Sequence, residues 1–185
     1  HIHYRSPGSP ALAERVGQLL GQAGIQAYGD PERGYDHGMF SPMRAIYPDA
    51  NVPVVQLSLR QGLDPAEHLA LGRALAALRD EDVLIIGSGL SYHNLRAFGP
   101  QAHAPAKAFD DWLADTMLDA TPAERTQRLI DWETAPAARL AHPREEHLLP
   151  LMVAVGAAEG DQAVRVYHED AFMGGLAVSS YRLDA

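Results

Sequence analysis

Four histidines stand in company that suits site chemistry: His37 in Gly34-Tyr35-Asp36-His37-Gly38, His93 in Gly87-Ser88-Gly89-Leu90-Ser91-Tyr92-His93-Asn94-Leu95, His142 in Ala141-His142-Pro143, and His147 in Glu145-Glu146-His147-Leu148-Leu149-Pro150. Imidazole changes charge near neutral pH and binds transition metals, so each position suits a metal ligand or an acid–base group. The chain contains nine histidines and no cysteine. That excludes disulfides, thiolate zinc sites, iron–sulfur clusters and thiol nucleophiles, and leaves His, Asp and Glu to hold any transition metal.

Each histidine taken alone also has an ordinary reading. A loop histidine is more often solvated or turn-forming than catalytic, and His147 reads as a half-buried residue at a helix start. His68 falls in an amphipathic helix and reads as packing, whereas His103 and His168 read as surface. His1 and His3 form an H-x-H pair that reads as an exposed terminus rather than a chelate. The Gly87-Ser88-Gly89 turn is a fragment of a dinucleotide fingerprint without its glycine spacing or its downstream acid. Ser88 and Ser91 lack a G-x-S-x-G elbow, which leaves a hydrolase using either serine with His93 only local support.

The elements that must position these residues follow from local signals. Ser9 before Ala11–Leu20 predicts a capped helix stopped by Gly24, and Ile25–Tyr28 reads as a short strand. Asp30–Phe40 is crowded with turn residues and reads as a loop, followed by a short helix over Met43–Ile46. Val52–Leu59 is β-branched and reads as a strand. Asp64-Pro65-Ala66-Glu67 supplies a cap, a first-turn proline and an acidic first turn for a helix through Leu78. Val83–Ile86 is a continuous apolar run ended by Gly87, the pattern of a buried strand whose carboxyl end carries the His93 loop. Helices are expected over Ala106–Leu118, Pro122–Glu133 and Pro143–Glu159, then strands over Ala163–Tyr167 and Leu176–Tyr181 around a Gly174-Gly175 turn.

The chain has 185 residues, enough for one well-packed domain and short for two. Its formal charge of -9 withholds the basic footprint that phosphate backbones demand, which argues against nucleic acid as a partner. No apolar run approaches a membrane span, no signal peptide is visible, and a cytoplasmic protein without membrane association is expected.

Beyond their local chemistry, a series of words resembles a known family. Pro7-Gly8-Ser9-Pro10, Gly34-Tyr35-Asp36-His37-Gly38, Tyr47-Pro48-Asp49-Ala50 with Pro53-Val54-Val55-Gln56-Leu57-Ser58, Leu71-Gly72-Arg73-Ala74-Leu75 with Leu78-Arg79-Asp80-Glu81, Gly87-Ser88-Gly89 through His93-Asn94-Leu95-Arg96, and His142-Pro143 through His147-Leu148-Leu149-Pro150-Leu151 follow one another in an order that resembles the class III extradiol ring-cleavage dioxygenases. The nearest branch is that of the DOPA 4,5-dioxygenase-like enzymes, and the likeness runs from about Ser6 to the C-terminal strands.

The resemblance implies a non-haem Fe(II) enzyme, in which Zn(II) can take the iron's place, that binds a catechol-type substrate through both hydroxyls and opens its ring with O2. By the same resemblance His147 matches the late metal ligand. His93 matches a site histidine beside the metal, a ligand in zinc forms and an acid–base group in the iron enzyme. His37 matches a site histidine that hydrogen-bonds substrate or oxygen without touching the metal. Two further metal histidines of the family, in a His-Gly-Ser-Pro word and a Ser-x-His-Trp word, have no counterpart among these residues.

The chain opens at His1 without an initiator Met, which leads to the expectation of one catalytic domain over residues 1–185, incomplete at its N-terminus. The expected fold is α/β, a central mixed sheet flanked by helices and lacking its N-terminal strands. The expected function is extradiol cleavage of a catechol-type aromatic; the alternative is a catalytically incomplete metal-binding relative serving as a binding or structural subunit. Aromatic substrate, loaded metal and oligomeric state stay open at this stage.

Overall fold

A computed structural model describes residues 4–184, so the His1 and His3 pair lies outside the described residues. The chain forms two compact units, residues 1–58 and 59–185.

In the first unit Ser9 caps helix α1 (Pro10–Gln22) by accepting the Leu12 N–H at 3.3 Å, and Pro10 sits in the first turn, where a missing amide donor costs nothing. Helix α2 (His37–Ile46) begins earlier than the turn-rich composition suggests, because the Asp36 side chain accepts the Met39 N–H at 3.2 Å and starts the helix. His37 therefore occupies the first turn of α2 rather than a loop. The segment read as a strand at Ile25–Tyr28 forms none, and Tyr28 is 88% exposed. Val52–Leu59 contributes only an isolated parallel bridge from Val54 to Gly8, held by the Tyr35 hydroxyl donating to the Val54 carbonyl at 2.7 Å.

The second unit is built on helices. Asp64 caps α3 (Pro65–Leu75) by accepting the Glu67 N–H at 2.9 Å, as its sequence predicts, and a 3₁₀ turn over Ala76–Asp80 ends it. Next come α4 (His103–Leu118), α5 (Pro122–Ile130), which opens with a Thr121/Glu124 capping box, α6 (Ala138–Ala141) and α7 (Leu149–Ala157). The helix expected over Pro143–Glu159 is divided: Glu145–His147 forms a 3₁₀ turn, and α7 starts afresh with Pro150 in its first turn.

Two strands close the unit, β1 (Gln162–Phe172) and β2 (Leu176–Asp184), paired antiparallel with irregular register between Arg165 and Tyr167. Met173 and Gly174 turn the chain with positive φ. Helix α4 lies against both strands. The α/β class holds with a sheet smaller than the apolar pattern suggests. Val83–Ile86 joins no ladder among the described residues, and Leu84 is 70% exposed.

Phe109, Leu113 and Met117 of α4, Leu129, Trp132, Leu149, Met152 and Val155, and Leu176 and Val178 of β2 form one buried cluster, and that burial is the main stabilising term. Helices α3 and α7 touch backbone to backbone. A Cβ on Gly72 would lie 2.1 Å from the Val153 carbonyl oxygen, and one on Gly156 would lie 2.1 Å from that of Leu69. Arg125 is buried, and its guanidinium donates to the Glu159 and Asp161 carbonyls, both at 2.9 Å, so α5 clamps the chain that leaves α7.

A candidate metal and acid–base site

The His93 loop and the 3₁₀ turn carrying His147 are held together mainly through backbone. Leu90 N–H donates to the His147 carbonyl at 3.0 Å, His93 N–H to that of Ala141 at 2.9 Å, and the Asn94 side chain to that of Leu140 at 2.9 Å. Glycine makes the approach feasible. A Cβ on Gly89 would lie 2.1 Å from the His147 carbonyl oxygen, and one on Gly87 would lie 2.4 Å from that of Pro150. Tyr92, fully buried, pins the loop from inside by donating its hydroxyl to the Ala97 carbonyl at 3.0 Å.

The result is that two imidazoles more than fifty residues apart in sequence lie face to face, with His93 and His147 ring centroids 3.3 Å apart and planes 15° apart. Glu146 completes the group. One ligand atom from each of His93, Glu146 and His147 lies within 4.8 Å of the other two, and all three residues are half-buried. The Glu146 carboxylate is 3.8 Å from His147 Nδ1 and 3.4 Å from the Arg144 Nε. Two imidazole nitrogens and a carboxylate oxygen are the donor types that bind non-haem iron or zinc, so these residues fit such a metal.

Under this pair lies His142, fully buried with its ring edge-on to Phe109 at 5.1 Å and to Trp132 at 5.9 Å. Its Nε2 donates to the Ser91 carbonyl at 3.0 Å. Burial pulls its pKa down to about 4, reinforced by the neighbouring His93 and His147, so the ring is neutral at pH 7. Arg139 lies over the Trp132 ring at 4.6 Å and pairs with Glu133 and Glu145, holding α6 against the same core.

A polar cluster at the hairpin adjoins the loop from the other side. Asp110 of α4, buried, accepts the Ser179 hydroxyl at 3.0 Å and lies 3.3 Å from His168, while the Ser179 N–H donates to the Ser91 hydroxyl at 3.2 Å. Desolvation raises the Asp110 pKa, and desolvation also pushes the Tyr181 phenol up to about 12. His168, a surface residue by sequence, is thus a partly covered member of this cluster.

Of the residues singled out by sequence, His93 and His147 come together. His37 belongs to the first unit and is placed there at the start of α2. Glu146 was legible only as a neighbour of His147, and His142 only as part of a His-Pro word; no local signal announces the donor role of one or the burial of the other.

The paired imidazoles and the adjoining carboxylate form a donor group that suits a metal ion, and comparison with known proteins gives the chain's family. Residues 1–183 match the family described as the catalytic LigB subunit of aromatic ring-opening dioxygenase, and the chain belongs to that family. It is 41% identical over 184 residues to a protein of Beta vulgaris named 4,5-DOPA dioxygenase extradiol, covering 97% of this chain and 67% of that one. A protein of Escherichia coli K12 with the same name is 37% identical, with 98% of this chain and 68% of the relative covered. A Mirabilis jalapa relative of that name is 38% identical, and the chain spans 62% of its length. The crystal structure of an uncharacterized Escherichia coli K12 protein matches with a TM-score of 0.84 at 34% identity, over 97% of this chain and 75% of that one. Among the described residues no helix is long and apolar enough to cross a membrane.

Proposed function

We propose that residues 1–185 act as one catalytic domain of an extradiol dioxygenase that opens the ring of a catechol-type aromatic, DOPA or a close relative, with O2. The observation that carries this reading is the meeting of His93 and His147, from two separate family-like words, beside Glu146 in one donor group. The curated relatives named 4,5-DOPA dioxygenase extradiol support the substrate class.

In this reading His147 and Glu146 would hold the metal, with His93 as a further donor in the zinc form and an unbound acid–base group in the iron form. Fe(II), or Zn(II) in its place, would supply a Lewis-acidic binding point for the catechol and dioxygen. His93 takes the proton from a catechol hydroxyl at an imidazole nitrogen and returns it as the ring opens, since an imidazole nitrogen can both accept and release a proton. His37 hydrogen-bonds substrate or oxygen and leaves the metal untouched.

The test is anaerobic loading with Fe(II), addition of L-DOPA or catechol in air-saturated buffer, and simultaneous recording of oxygen uptake and the absorbance of the ring-opened product. One O2 consumed per product, abolished by a chelator, is expected. Tight metal binding without oxygen uptake on any catechol would instead favour the binding or structural subunit.

A further inference from the structure

We propose that His142 and Ser91 are positioning residues that fix the His93 imidazole against His147. The inference rests on the acid–base role given to His93 above. His93 sits at the far end of a loop with no regular structure, so its aim depends on the points where that loop is tied down. Backbone ties to Leu140, Ala141 and His147 set the loop's height above the second segment. Ser91, two residues before His93, carries two more, one from each side. Its carbonyl receives the His142 Nε2–H at 3.0 Å, and its hydroxyl receives the Ser179 N–H at 3.2 Å from β2.

Both anchors are stiff. The His142 ring is fully buried between Phe109 and Trp132, so it cannot turn without opening the core, and its partner, the Ser91 carbonyl, can only accept, which places the donor hydrogen on Nε2. On the opposite side Ser179 is tied through its hydroxyl to Asp110, only 1% exposed, on α4. Ser91 is therefore gripped between the main core and the hairpin, and a shift at Ser91 is passed along two residues to the His93 ring. With the rings 3.3 Å apart there is little room for such a shift before the donor group changes shape.

The test separates the hydrogen bond from the packing. His142→Phe keeps an aromatic ring between Phe109 and Trp132 and removes the donor; His142→Gln keeps a donor near the Nε2 position and removes the ring. Ser91→Ala removes the tie to β2 without entering the core. In the metal-free proteins, ¹⁵N-edited histidine spectra should show the His93 resonances displaced in His142→Phe and returned toward wild type in His142→Gln. In the iron-loaded proteins, kcat for catechol opening should fall about 10- to 100-fold in His142→Phe with KM changed less than about 3-fold, recover to within about 5-fold of wild type in His142→Gln, and fall by a smaller factor in Ser91→Ala. Unchanged His93 resonances in both His142→Phe and Ser91→Ala overturn the proposal, as does a His142→Gln protein whose His93 resonances remain as displaced as those of His142→Phe. A wild-type protein that opens no catechol defeats the dioxygenase reading alone, because the metal-free spectra still decide whether Ser91 and His142 aim the ring.

Discussion

Two places in the second unit use the same device for different ends. At the α3–α7 crossing, Gly72 and Gly156 let two regular helices meet backbone to backbone, and the contact seals the core. At the site, Gly87 and Gly89 let an irregular loop rest on the turn that carries His147, and the contact aligns two imidazoles. The helices are each held by their own hydrogen bonds and lose mainly packing if pushed apart. The loop has no internal ladder, so its shape is borrowed from the segment beneath it. A missing Cβ thus serves stability in one region and geometry in the other.

Substitution at the crossing should have the largest effect. Gly156→Val places side-chain atoms where the Leu69 carbonyl stands, and a loss of more than about 3 kcal/mol in urea unfolding is expected, with activity lost only because the protein unfolds. Gly89→Ala should invert that pattern. The Cβ meets the His147 carbonyl oxygen, so metal affinity and ring opening should drop about 100-fold while the unfolding midpoint moves little. Equal losses of stability in the two variants would erase the distinction drawn here.

Within the site, His147→Ala should lower iron or zinc content in purified protein, whereas His37→Ala should leave the metal in place and slow ring opening by about 10- to 100-fold. Metal analysis of both variants beside steady-state rates is the measurement, and equal metal loss would make His37 a ligand. The last expected effect is on the pH dependence of stability. His142 has a pKa lowered from 6.5 to about 4, so the unfolded chain holds the proton more readily between those values. Its contribution is fully present above pH 6.5 and is lost as pH falls toward 4, by up to about 3 kcal/mol, and His142→Phe should remove that slope from a plot of unfolding free energy against pH.

The regular region was the more legible of the two. Asp64-Pro65 and Thr121-Pro122-Ala123-Glu124 announce α3 and α5 because capping is a matter of a few adjacent residues. Asp36 carries the same kind of signal, but the turn residues around it conceal the start of α2. Val83–Ile86 has the composition of a buried strand, yet a ladder needs a partner, and composition names none. At the site, the words around His93 and His147 mark both residues, whereas their stacking depends on carbonyl oxygens some fifty positions away that no side-chain pattern encodes. Glu146 carries no signal of its own, and the His-Pro word marks His142 without showing its place: one gains its role from a neighbour across the loop, the other from burial between Phe109 and Trp132.

The acceptors that hold the His93 loop at Leu140, Ala141 and His147 are main-chain oxygens, which every residue possesses. Evolution is therefore free to rewrite the side chain at position 140 without redrawing the site, and the outward-facing Leu140 can drift among residues of any polarity, whereas Ala141 is held by its burial in the core. Gly89 has no such latitude, since even alanine brings an atom into the His147 carbonyl. Inheritance of this loop arrangement should accordingly show as a few immovable glycines and histidines set in a changeable background.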